Sequence, residues 1–245
     1  MLKPRTSLQT LEHQDQPLEN EFGILCWNIH KENLSTPFEV LIHQLLLHYP
    51  SNLILFQEVK TSMQHPFKIT GYSFAFSANI QTRRHLYGVM TLGRTSFENI
   101  TPLLTRAKEA AGMATHKSLL ITTHTLPKQR SLIVVNLHAI NFVPLKTFLS
   151  ELNHLSLNLK SYEGSMILAG DFNNWNRKRY AYLESFCAEL SLQKAEMRDE
   201  HHVKKIFFQH LDHIFYRGIK LIDAIAINTK KVSDHNPIYA KFSIE

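Results

Sequence analysis

Cysteine is scarce: only Cys26 and Cys187 occur in 245 residues. Two isolated cysteines give neither a disulfide framework nor the spacing of a zinc site. Cys26 lies inside an apolar run and reads as a small core residue. No apolar run approaches the roughly 20 residues that a bilayer-spanning helix needs. The opening residues, Met1-Leu-Lys-Pro-Arg-Thr-Ser, lack the apolar stretch of an export signal, so a soluble, cytoplasmic protein is expected. Acidic residues are the minority, 21 against 27 lysines and arginines, for a net charge of +6. A basic chain suits polyanions such as nucleic acid, anionic lipid or phosphorylated metabolites, although an ordinary soluble surface gives the same balance. Hydrophobic residues are 44% and charged residues 20%, the composition of a globular chain with a sizeable core.

Residues 1–20 are polar and without periodicity, and are expected as a flexible tail. No linker or repeat divides 21–245, which reads as a single domain. Short apolar runs predict strands at Phe22 to Asn28, Leu53 to Phe56, Tyr72 to Phe76, Tyr87 to Leu92, Phe97 to Leu104 and Lys117 to Thr123. Further strands are expected at Ser131 to Leu137, Met166 to Ala169, Ile206 to Tyr216, Ile219 to Asn228 and Ile238 to Phe242. A helix opens at Pro37 with Phe38, Leu41, Ile42, Leu45 and Leu46 on one face and Pro50 as its stop. Pro144 to Leu159 and Tyr180 to Leu190 are also helical, and Ala107 to Ala114, around Gly112, is a loop. Strands dominate and helices lie between some of them. The pattern suits an α/β fold of two packed sheets with helices on the outer faces.

Polar residues recur where these strands end. They are Asn28 in Leu-Cys-Trp-Asn-Ile-His, Glu58 in Leu-Phe-Gln-Glu-Val, and His138 in Val-Asn-Leu-His. Asp171 and Asn173 follow in Ala-Gly-Asp-Phe-Asn, then Asp212 in Leu-Asp-His-Ile-Phe, and Asp234 with His235 in Ser-Asp-His-Asn-Pro. Each set alone is common. Six in this order resemble the endonuclease/exonuclease/phosphatase superfamily, the metal-dependent phosphoesterases typified by pancreatic deoxyribonuclease. The resemblance spans Phe22 to Phe242. His138-Ala-Ile-Asn-Phe142 and Gly170-Asp-Phe-Asn-Asn-Trp175-Asn-Arg-Lys-Arg179 are similar to a bacterial, YafD-like branch. It implies a four-layer α/β sandwich of two mostly antiparallel sheets flanked by helices.

Hydrolysis of a phosphate ester needs neutralised phosphoryl oxygens, an activated water and a stabilised leaving oxygen. A sparse Glu, Asp and Asn set suits magnesium or manganese better than zinc. Glu58 is the leading metal ligand. Asn28 is a neutral ligand or a phosphate contact, and Asp234 completes the metal shell or positions a second ion. Asp171 is the candidate base for the attacking water, and Asn173 orients water or phosphate. Asp212 and His235 form a carboxylate–imidazole pair in which a protonated ring stabilises phosphoryl charge. His138 matches the second active-site histidine of the deoxyribonuclease-like members, but no carboxylate partner is visible in the sequence. Trp175 is placed to stack on a base or sugar, and Arg177 and Arg179 to hold a phosphate backbone. Asn141 is grouped with these substrate contacts. The segment Gln209-His-Leu-Asp-His213 departs from that of the abasic-site endonucleases. The expectation is a nuclease. A phosphatase or phospholipase C-like enzyme acting on a small molecule or lipid headgroup stays open, as does a non-catalytic binding module.

Overall fold

The computed structural model describes residue 4 and residues 7–13, 16–109, 114–229 and 232–244. Gly112 of the expected loop lies outside the described residues. Among the described residues the strands are β1 (Ser7–Thr10), β2 (Glu21–Asn28), β3 (Leu53–Thr61), β4 (Ser73–Gln81), β5 (Leu86–Gly93), β6 (Asn99–Leu104), β7 (Ser118–Leu126) and β8 (Arg130–His138). They continue with β9 (Ser165–Asp171), β10 (Gln193–Lys194), β11 (Lys205–Ile206), β12 (Gln209–His210), β13 (Asp212–Arg217), β14 (Lys220–Ala226) and β15 (Ile238–Ser243). The α-helices are α1 (Thr36–His48), α2 (Leu145–Leu159) and α3 (Arg177–Glu189). One sheet runs β1-β4-β5-β3-β2-β15-β14 and the other β10-β13-β9-β8-β7-β6, both mostly antiparallel.

Alternation along the strands builds the layers. In β2, Phe22, Ile24 and Cys26 face the inter-sheet core with Val134, Ile167, Ala169 and Ile214. Leu25 and Trp27 face the other way, onto Phe38, Ile42 and Leu45 of α1. In β9, Met166 and Leu168 turn outward to Phe148, Leu152, Leu183 and Phe186 of α2 and α3. These strands are apolar on both faces because each is covered on both faces. The result is the expected sandwich of helix, sheet, sheet and helix.

Each sheet contains one parallel pair, β2 with β3 and β8 with β9, joined through α1 and α2 respectively. A crossover helix is what parallel neighbours require. Ser35 caps α1, its hydroxyl accepting from the Phe38 N–H at 3.3 Å. In both units the carboxyl ends of the parallel strands point to one end of the sandwich. Gly170 makes the second pair fit: its φ is 147°, and a Cβ there would lie 1.8 Å from the Leu137 carbonyl oxygen.

Three expectations change. The segment read as a tail contributes β1, which pairs with β4, and Leu18, which is 1% exposed in the core. The leucines of this polar stretch, Leu2, Leu8, Leu11 and Leu18, are too irregularly spaced to give a period to read. The strand expected over 206–216 is broken: β11 and β12 form a hairpin turning at Phe207, and β13 starts at Asp212. Helix α3 starts at Arg177 rather than Tyr180, because the Asn176 side chain accepts from the Arg179 N–H at 2.9 Å and caps it.

Candidate active site

Strand register gathers the polar residues. His138 pairs with Asp171 across β8 and β9, and Asp171 with Asp212 across β9 and β13. In the other sheet Asn28 pairs with Gln57, next to Glu58. The loop before β15 supplies His235, fastened to β2 at two points. Ser233 Oγ donates to the Asn28 carbonyl at 2.7 Å, and Trp27 Nε1 to the His235 carbonyl at 2.9 Å. Glu58 sits in a β-bulge between Phe56 and Val59 with φ 55°, and Asn173 has φ 48°. Both are in the strained left-handed region, where a bulge or turn re-aims a side chain.

Asp171 is buried and held from several directions. Its Oδ1 accepts from the Asn173 N–H at 3.0 Å and its Oδ2 from Asn28 Nδ2 at 3.1 Å. Oδ2 also lies 3.7 Å from His138 Nε2 and 3.8 Å from His235 Nε2. Burial pushes its carboxyl above the usual carboxylate range, against the pull of the two imidazoles. His235 Nδ1 donates to Asp212 Oδ2 at 2.7 Å. Burial opposes charge on that ring, but the charge and hydrogen bond of Asp212 outweigh it, with help from Asp171, and His235 titrates at about 9. The ring is therefore protonated at neutral pH. Asp171, Asp212 and His235 offer ligand atoms within 4.8 Å of one another, close enough to enclose an ion.

On the other side of Asp171, His138 Nε2 lies 3.1 Å from Lys117 Nζ and 3.9 Å from Glu58 Oε1. Burial and Lys117 take the ring down to about 4, so it is neutral at pH 7 and accepts from the ammonium. The carboxylate missing from the sequence reading is shared: Asp171 and Glu58 both face this ring. Burial acts to raise the Glu58 carboxyl, but His138, Lys117 and Lys31 hold it at about 2. Lys31 Nζ sits 2.8 Å from Glu58 Oε2 on a half-exposed side chain.

Glu58 is ionised and Asn28 carries an amide oxygen, donors of the kind a hard divalent cation takes, and in the neighbouring Asp171–Asp212–His235 cluster Asp212 Oδ1 is a buried oxygen with no hydrogen-bond partner among the described residues. Asp234 stands apart, its Oδ2 3.3 Å from Lys204 Nζ and half exposed.

The outer residues divide. Trp175 Nε1 donates to Asn141 Oδ1 at 2.9 Å, and the Asn141 N–H donates to Glu109 Oε1 at 2.5 Å. Arg177 is exposed. Arg179 does not reach a substrate backbone. It is 1% exposed, donating to the carbonyls of Asn173 at 2.9 Å and Val143 at 2.7 Å with its guanidinium over the Trp175 and Phe148 rings. It props the loop behind Asn173, because the first turn of a capped helix directs every third or fourth residue inward. Trp27 is likewise buried packing, stacked on Phe38. Lys117, Glu109 and Lys31 were not legible. Lys117 immediately precedes β7, two residues before Leu119, whose partner Leu137 neighbours His138, and only that register marks it.

The model of the Endonuclease/Exonuclease/phosphatase family matches residues 25–235. A UPF0294 protein of Erwinia tasmaniensis is 33% identical over 90% of this chain and 81% of its own length. The endonuclease/exonuclease/phosphatase family protein from Leptotrichia buccalis is similar in structure, with a TM-score of 0.69 and 19% identity over 91% of this chain and 100% of that one. So is D. rerio TDP2, solved with a single-strand DNA product, with a TM-score of 0.60 and 16% identity over 92% of this chain and 100% of that one. The matched residues include Asn28, Glu58, His138, Asp171, Asp212 and His235, and the chain belongs to the endonuclease/exonuclease/phosphatase family, whose members hydrolyse phosphoester bonds.

Proposed function

We propose that the protein is a divalent-metal-dependent phosphodiesterase that cleaves nucleic acid. The observation that carries the reading is Asp171 Oδ2, set 3.8 Å from the Nε2 of an imidazole that Asp212 keeps protonated. A buried carboxylate of raised pKa beside a fixed cation is a base for water next to a stabiliser of phosphoryl charge.

In this reading Asp171 takes the proton of the attacking water, while the Asn173 N–H and Asn28 Nδ2 keep its carboxylate aimed. His235 offers its Nε2–H to a phosphoryl oxygen, and Asp212 holds the ring's tautomer and charge. Lys117 adds a second cation, and neutral His138 positions it. Magnesium or manganese, held by Glu58 and Asn28, would neutralise the phosphoryl and leaving oxygens. The expected ligand role of Asp234 is the weakest of the three, given its pairing with Lys204.

Nucleic acid is favoured by the net charge of +6, by exposed Arg177 and Lys178, and by Trp175 beside the site. A single-strand DNA product in D. rerio TDP2 supports the same class. The test is a substrate panel with magnesium: labelled DNA and RNA, bis-p-nitrophenyl phosphate, inositol phosphates and sphingomyelin. Cleavage of the oligonucleotides is expected to dominate. Efficient hydrolysis of an inositol phosphate or sphingomyelin with none of nucleic acid would overturn the substrate assignment.

A further inference from the structure

Three phenylalanines near the site are exposed: Phe142 at 63%, Phe207 at 76% and Phe208 at 87%. Two have left-handed backbone, Phe142 with φ 45° and Phe207 with φ 54°. That conformation suits glycine or asparagine, and a bulky side chain there is strained. An exposed ring gains little burial in return. Folding stability accounts for neither residue.

Phe207 is fixed relative to the chemistry. It turns the β11–β12 hairpin, and the strand after it leads through Leu211 to Asp212. The hairpin's base is tied to both catalytic loops. The Leu211 carbonyl accepts from the Phe172 N–H at 2.8 Å, and Lys204 pairs with Asp234 at 3.3 Å. The Phe207 ring meets Trp175 with centroids 6.2 Å apart and planes tilted by 53°. Trp175 is itself rigid, its N–H held by Asn141 and one face backed by the Arg179 guanidinium at 4.7 Å. Exposed Arg177 and Lys178 follow it two and three residues on.

We propose that Phe207 and Trp175 form a stacking platform for an unpaired base beside the scissile phosphate, so that the protein selects single-stranded over duplex nucleic acid. This rests on the nucleic-acid reading above. Aromatic rings stack on any base, but in a duplex both faces of each base are already covered by its neighbours. Cations next to the rings serve the backbone that joins the bases. A lipid surface is the competing occupant for exposed phenylalanines. Against it, Phe207 leans onto Trp175 instead of away from the domain, and the tryptophan's polar edge is tied inward.

The test uses the full chain carrying Asp171→Asn to stop turnover. Fluorescence anisotropy measures binding to a labelled single strand and to its duplex. The single strand should bind at least about tenfold tighter, and Phe207→Ala should weaken it by about tenfold or more, since each stacked base contributes on this order. Phe207→Leu should not rescue, because it restores bulk without a ring. Phe207→Gly should lose affinity equally while its thermal midpoint stays level or rises, which separates lost stacking from lost folding. Equal affinity for single strand and duplex, or unchanged single-strand binding in Phe207→Ala, would overturn the platform and leave the nucleic-acid reading intact. Absence of oligonucleotide binding at low salt would overturn both. Phe207-dependent sedimentation with phosphatidylglycerol vesicles, without a single-strand preference, would overturn the platform and assign the hairpin to lipid.

Discussion

Gln57 Nε2 donates to Asn136 Oδ1 at 2.8 Å, joining the two sheets beneath the active site. Both residues are fully buried, and Asn136 Nδ2 continues to the Met90 carbonyl at 2.9 Å. Gln57 adjoins Glu58, and Asn136 precedes His138 by two positions, so the link fixes the spacing of residues from opposite sheets. Asn136→Leu leaves buried donors and acceptors unpaired and is expected to cost about 2 to 3 kcal/mol in urea unfolding. Adding Gln57→Leu should cost much less than its single-variant effect, because the two are partners. Additive losses would mean that the amides act independently.

Asp212 raises the titration of His235 to about 9, after burial has acted against it. The protonated ring, and activity that depends on it, is retained below that pH and lost as pH rises through it. Asp212→Asn removes the raising charge, so the alkaline limb should move to lower pH. Asp171→Asn and His235→Ala are each expected to lower turnover by about a hundredfold or more with the fold intact. Asp212→Ala combined with His235→Ala should cost far less than the product of the singles. An unmoved alkaline limb in Asp212→Asn would break the link between the pair.

Lys117 lowers the His138 titration, second only to burial. Lys117→Met should therefore raise the His138 pKa, readable by NMR of the ring protons, and reduce turnover by about ten- to a hundredfold. Lys117→Arg should recover part of the turnover because it returns the charge. A His138 titration that does not move would place Lys117 outside this network.

Much of the site was legible because strand ends concentrate polar residues in an apolar sequence. Asn28, Asp171 and Asp212 each terminate or open a strand; register pairs Asp171 with Asp212, and the packing of the two sheets brings Asn28 to Asp171. Lys117 and Glu109 were not legible, since one immediately precedes a strand and the other lies in a loop, and only the fold faces them toward His138 and Asn141. Arg179 was misread for the opposite reason. A basic run looks like a surface, and the Asn176 cap that turns its third residue inward is a local geometric effect. β1 was hidden because an edge strand needs few apolar residues. Phe207 was absorbed into a strand because its turn uses a left-handed phenylalanine where turn chemistry calls for glycine or asparagine.

His124 is fully buried, between the Ser96 carbonyl at 2.9 Å and Thr122 Oγ1 at 2.8 Å, and burial lowers its titration from 6.5 to about 4. The folded state holds it neutral while the unfolded chain protonates it. Its contribution is therefore intact above pH 6.5 and is lost as pH falls toward about 4. The loss is on the order of 3 kcal/mol over that window. His124→Gln should flatten the pH dependence of urea unfolding by about this amount. An unchanged slope would mean that His124 does not titrate with folding.

The most direct measurement is turnover of a labelled single-stranded oligonucleotide in magnesium by the parent and by Asp171→Asn, purified alike and matched by circular dichroism. The account predicts cleavage by the parent that EDTA abolishes and that falls at least about a hundredfold in Asp171→Asn. Full activity in excess chelator, or near-parental turnover without the Asp171 carboxylate, would contradict it.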